Sequence, residues 1–248
     1  MTYAAMGTPV LYGSNSNKTS GTSLAVVSNQ IVPINTHLFM VIAHDNHAST
    51  TAATTTLGNT ASSQAWTLRV SPLQQGQTTT AGTGVVLRAY SVRLNAQIAS
   101  GGALTTITFG SAVVAKVAIA VGISNVSVFT VPGVTIGANG SAAGTPSNPT
   151  TGTVTPGTGD VVFACVGGEN NATPTGDSDT LNGSWTTMLG LATTGSTADT
   201  NIGAGAQFKQ VTASGVQTWN PVMANDTVAG NVSFQADAVA VNQFGTPL

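Results

Sequence analysis

The chain has 248 residues, with six Lys+Arg against eight Asp+Glu, a formal net charge of -2, and charged residues at only 6%. An ordinary soluble domain carries about a quarter charged residues. So few cations exclude a nucleic-acid surface, since the largest basic grouping is Arg88 with Arg93. A single glutamate, Glu169, excludes a coiled coil, whose flanking heptad positions need Glu and Lys. With 41% hydrophobic residues the chain can bury a core, which argues against disorder.

The opening Met1-Thr2-Tyr3-Ala4-Ala5-Met6-Gly7 has neither a basic stretch nor an apolar run behind it, so no secretion signal is predicted. Short β-branched runs follow at residues 23–27, 38–42, 85–94, 106–109 and 113–123, separated by Gly, Thr, Ser, Asn and Pro. The longest apolar stretch, 112–123, is interrupted by Lys116 and is shorter than the ~20 residues a membrane helix needs, so no membrane partner is expected. Turn residues recur throughout, and no long segment shows an apolar stripe of helical period. The pattern predicts an all-β protein.

The second half repeats the first. Residues 37–43, a polar loop, Ala65-Trp66-Thr67, then 85–94, 106–109 and 113–123 are matched by 160–166, a polar loop, Ser184-Trp185-Thr186, then 204–211, 217–219 and 232–241. His37 and Asp160 lie 123 residues apart, Trp66 and Trp185 119, and Val114 and Val232 118. Near-constant spacing of five elements points to an internal duplication. Residues 150–155 would correspond to the opening strand at 23–27. The expected organisation is a first β-sandwich domain at 1–131, a Gly/Pro/Ser-rich connection at 132–147 and a second β-sandwich domain at 148–248, of jelly-roll or immunoglobulin-like type.

Three groups invite a chemical reading, each beside a plainer one. His44, Asp45 and His47 offer two imidazoles and a carboxylate to a transition metal, but their spacing fits no established motif and a loop tip serves as well. Asp177, Asp179 and Asn182 supply oxygen ligands suited to a weak calcium site, while the same residues build ordinary turns. Trp66 and Trp185 stand at matching positions. Exposed, they would stack on sugar rings as in a carbohydrate-binding module for host-surface glycans; buried, they anchor the core. Cys165, the lone cysteine, sits in an apolar run and reads as an inert buried thiol. No nucleophile elbow or phosphate-binding loop is present, and Asp177 and Asp179 are too close in sequence for an acid–base pair on separate elements. The expectation is a non-enzymatic protein with no catalytic residues and no cofactor.

A Gly-Asp-Val-Val-Phe-Ala strand at 159–164, an Asn/Thr/Pro/Asp loop, Gly-Ser-Trp-Thr at 183–186 and an Ala-rich strand at 235–241 resemble the β-sandwich domains of tailed-bacteriophage structural proteins, especially minor tail and capsid decoration proteins. The first half departs from this pattern, with Thr36-His37-Leu38 for Gly-Asp-Val and Gln64-Ala65-Trp66 for Gly-Ser-Trp. The resemblance implies a virion protein made in the bacterial host cytoplasm, homo-oligomeric, whose partners are other tail or capsid proteins. It carries over no catalytic residues.

Overall fold

A computed structural model describes residues 4–76, 78–130, 146–147, 149–195, 200–224 and 227–236. Among the described residues there are fifteen antiparallel strands, numbered in chain order. The first five-stranded sheet runs β1 (Val10–Asn17), β8 (Lys116–Ile123), β3 (His37–His44), β6 (Val85–Arg93), β5 (Thr67–Gln75). The second runs β9 (Val126–Thr130), β15 (Thr227–Ala236), β11 (Val161–Glu169), β13 (Ile202–Gln210), β12 (Leu189–Ala192). A three-stranded sheet of β2 (Gly21–Val27), β7 (Ala103–Val113) and β4 (Thr55–Leu57) and a pair of β10 (Pro146–Ser147) with β14 (Met223–Ala224) complete the set. No helix among the described residues is long and apolar enough to cross a membrane.

The protein is therefore all-β, as expected, and its layers follow from alternation along the strands. Successive residues of a strand point to opposite faces. In β3, Leu38, Met40 and Ile42 meet Leu24, Val26, Leu104, Ile107 and Phe109 of the three-stranded sheet, forming one core. Phe39, Val41 and Ala43 point the other way and meet the second five-stranded sheet. There Phe39 stacks on Phe163 with centroids 4.5 Å apart and lies edge-on to Phe208 at 5.2 Å and Phe234 at 5.1 Å. The sheets close tightly at Gly167, where a Cβ would stand 2.9 Å from that of Ala43. The two halves thus share a central core in addition to their own outer ones.

Counted within each half, corresponding strands occupy corresponding places in the two five-stranded sheets, an order that a duplicated unit would give. The ladders place the last strands differently from the sequence spacing. Phe39 faces Val121 in β8 and Phe163 faces Val232 in β15, so with the two phenylalanines aligned Val232 corresponds to Val121, not Val114. Residues 126–130, within the stretch expected for the first domain, instead form an edge of the second sheet beside β15. Asn125, in the left-handed region at φ 62°, makes the turn that carries the chain across.

The run 113–123 is not one strand. It breaks between β7 and β8, where the Asp45 carboxylate accepts from the amides of Val114 (2.9 Å) and Ala115 (2.7 Å). In the second half the outer layer is mostly loops. Residues 150–155 and 217–219 come together through the Val154–Gln217 bridge and a pair of hydrogen bonds between Thr151 and Trp219, and Thr175 bridges Val222. These loops cover Val162, Ala164 and Val166 with Trp185, Trp219 and Met223. Residues 132–145, most of the expected connection, and 237–241, the end of the expected last strand, lie outside the described residues.

Candidate functional site

His44 ends β3 and Asp45 follows it, and their side chains bond to different elements, His44 to Arg88 and Asp45 to the amides of Val114 and Ala115. His44 is fully buried. Its Nδ1 lies 2.6 Å from the Asp45 carbonyl and its Nε2 3.1 Å from Arg88 Nη1. A carbonyl only accepts and a guanidinium only donates, which fixes a neutral ring protonated at Nδ1. Burial agrees, pushing the His44 pKa down to about 3. Arg88 continues the network to Thr55 Oγ1 (2.8 Å) and the Ala53 carbonyl (2.6 Å). Lys116, also buried, donates to the carbonyls of Thr19 (2.7 Å) and Val113 (3.2 Å). Burial raises the Asp45 pKa to about 6, with its two amide donors and the Lys116 charge pulling against it. The polar groups hold the β7–β8 turn and the loop after β3. His47 lies beyond them, half-buried.

Asp177, Asp179 and Asn182 form turns. Asp177 Oδ1 accepts from the Asp179 amide (2.8 Å), and Asp179 Oδ1 from the Leu181 amide (3.0 Å). Asp177 Oδ2 takes the Asn220 amide at 2.9 Å, and Asn182 adopts a left-handed φ of 56°. The remaining Asp179 oxygen is 2.9 Å from Lys209 Nζ, an ammonium buried beneath the Trp185 ring at 5.3 Å. A cation of the protein therefore stands where a calcium ion would need that carboxylate. Among the described residues no three His, Cys, Asp or Glu side chains gather as a metal cage.

The tryptophans are core groups. Trp219 is 0% exposed and gives its Nε1 to Gln207 Oε1 at 2.8 Å. Trp185 is 9% exposed with its ring 6.0 Å from that of Trp219, and Trp66 is half-buried against the outer core of the first half. Trp185 and Trp219 have no face open to a sugar. Cys165 is fully buried, and burial drives its thiol far above the ordinary range, so it is no nucleophile at neutral pH.

Two concave places stand out among the described residues. One, of about 260 Å³, lies between Met6, Pro9, Thr186 and Leu189 and is mainly apolar. The other, of about 310 Å³, is lined by His37, Gln64, Thr67, Arg69, Ser91 and Arg93. Two of the chain's three arginines are among the described residues that line it. Sequence reading passed over this second site, although the signal exists: along one face of β6, Val85, Leu87 and Ala89 give way to Ser91 and Arg93. Set beside protein families, characterised proteins and solved structures, the chain finds no match.

Proposed function

We propose that this chain is a non-enzymatic structural component of a tailed-phage virion, a minor tail protein that acts through protein–protein contacts as a homo-oligomer. The observation that carries the reading is where the charge goes. Arg88, Lys116 and Lys209 are buried in internal bonds, and Asp45 and Asp179 hold a turn and an ion pair. Charge is thus scarce at the surface, in a sequence dominated by Thr, Ser, Asn, Ala and Gly. Uncharged surface is covered by a partner with little desolvation cost, which suits dense repeated contacts. Two five-stranded sheets locked face to face add a stiff block for such contacts to act on. The duplication inferred from sequence spacing is supported by the matching strand orders. It belongs to the same proposal, as does a virion location reached from the bacterial cytoplasm.

Capsid decoration has the same physical support and stands as the nearest alternative. A carbohydrate-binding role has less, because the aromatic rings that would carry it are buried or half-buried. Light scattering on the purified protein across a concentration series tests the proposal. A defined trimer, pentamer or hexamer is expected. A monomer at every concentration would overturn self-assembly and leave decoration of a preformed lattice as the surviving form of the reading.

A further inference from the structure

Residues 4–7, ahead of β1, form an arm that lies against the second half of the chain. Gln210, the last residue of β13, brackets it with one side-chain amide: Oε1 accepts from the Met6 amide and Nε2 donates to the Ala4 carbonyl, both at 2.8 Å. Asn125, in the turn between β8 and β9, donates Nδ2 to the Ala5 carbonyl at 2.8 Å. The Gly7 amide donates to the Ser124 carbonyl at 3.2 Å. Two side-chain amides thus engage the main chain of three successive residues, much as a neighbouring strand would. The Met6 side chain packs on the core shared by the halves. A Cβ on Gly7 would collide with Ser124 Oγ and stand 3.1 Å from Ser124 N, so the arm comes closest where it carries no side chain.

The seat is built from elements whose pairing does not involve the arm. β13 pairs with β11 and β12, β8 with β1 and β3, and β9 with β15. Thr8 and Pro9 join the arm to β1, and Pro9 has no amide to tie it down. A peripheral segment held by a few hydrogen bonds opens without unfolding the rest of a domain. The seat is also wider than the arm in it. Beside Met6, Gly7, Thr8 and Pro9 runs the mainly apolar cavity of about 260 Å³, walled on its other side by Thr186, Thr187 and Leu189.

We propose that Gln210, Asn125 and Ser124 form a docking seat for an extended arm, and that in the assembled protein the arm is residues 4–7 of a second copy. The occupant follows from what the seat already holds. Its two amides, the apolar place of Met6 and the close approach at Gly7 fit this segment, and a second copy carries the same one. Identical contacts form whichever copy supplies the arm, which makes exchange of an identical element a low-cost route to association. A short tether gives the chain's own arm an effective concentration on the order of mM, which neighbouring copies in a dense assembly match. The inference rests on the homo-oligomeric reading for the source of the arm, while the seat itself is tested without reference to mass.

In the full chain, Gly7→Val expels the arm and leaves the seat intact; Met6→Asp does so by charge should the first variant fail to fold. Each is titrated with a fluorescent peptide of residues 4–9, followed by anisotropy. Saturable binding is expected, about tenfold weaker once Gln210→Ala removes its pair of hydrogen bonds. No saturable binding, or binding unchanged by Gln210→Ala, would overturn the seat. For the source of the arm, a tagged Gly7→Val chain is co-expressed with an untagged Gln210→Ala chain, which keeps a normal arm. Capture of the untagged chain is expected, and its loss when the tagged chain also carries Gln210→Ala. Capture equal in the two cases, or absent from both, would overturn the second copy as occupant. A defined oligomer by light scattering together with equal capture would refute this inference alone and leave the homo-oligomeric reading standing.

Discussion

Phe39→Ala is expected to lower the free energy of unfolding by about 3–5 kcal/mol, read from chemical denaturation. The ring is fully buried and touches Phe163, Phe208 and Phe234 of the opposite sheet, so its removal leaves a cavity between two stiff layers that cannot collapse to fill it. The loss is shared by the halves. Phe39 belongs to the first, yet three of its ring partners belong to the second, and the variant should destabilise both together. A cost under 1 kcal/mol would mean that the two sheets do not rely on this contact.

Acidification from pH 6 to 4 is expected to destabilise the fold by roughly 1 kcal/mol per pH unit. Burial holds His37 and His44 at pKa values of about 3, far below the ordinary 6.5, so in this range both bind protons only when the chain unfolds. Asp45 works in the opposite direction. Its folded pKa of about 6 lies above the ordinary 3.8, so it binds its proton in the folded state first. Two protons gained on unfolding against one lost leaves a net of one, and each net proton contributes about 1.4 kcal/mol per pH unit. Burial raises Asp160 as well, which trims the slope. Above about pH 7.5, a unit beyond the ordinary histidine value, these groups bind almost no extra protons in either state and the curve should flatten. Asp45→Asn removes the counterweight and should steepen the acid loss. The check is denaturant unfolding across pH, and stability that rises toward pH 4 would contradict the assignment.

The all-β character was legible because the β-branched runs and turn residues leave no helical stripe anywhere. The shared core was legible only in part. Residues 37–44 and 161–169 lack the polar alternation of a one-sided strand, which signals cover on both faces, but strand period does not say what supplies the second cover. The break at Val114 and Ala115 has no Gly or Pro to mark it. It is held by Asp45, 69 residues before Val114, and long-range capping of that kind leaves no local trace. The same holds for Lys209, 30 residues from the Asp179 carboxylate it occupies. The arginine-lined cavity needed the pairing registers, because its residues come from three strands and the approach to β5.

Scanning calorimetry of the full chain tests the shared core most directly. One core spanning both five-stranded sheets predicts a single endotherm whose calorimetric and van't Hoff enthalpies agree. Two separable transitions, one for each half, would contradict it.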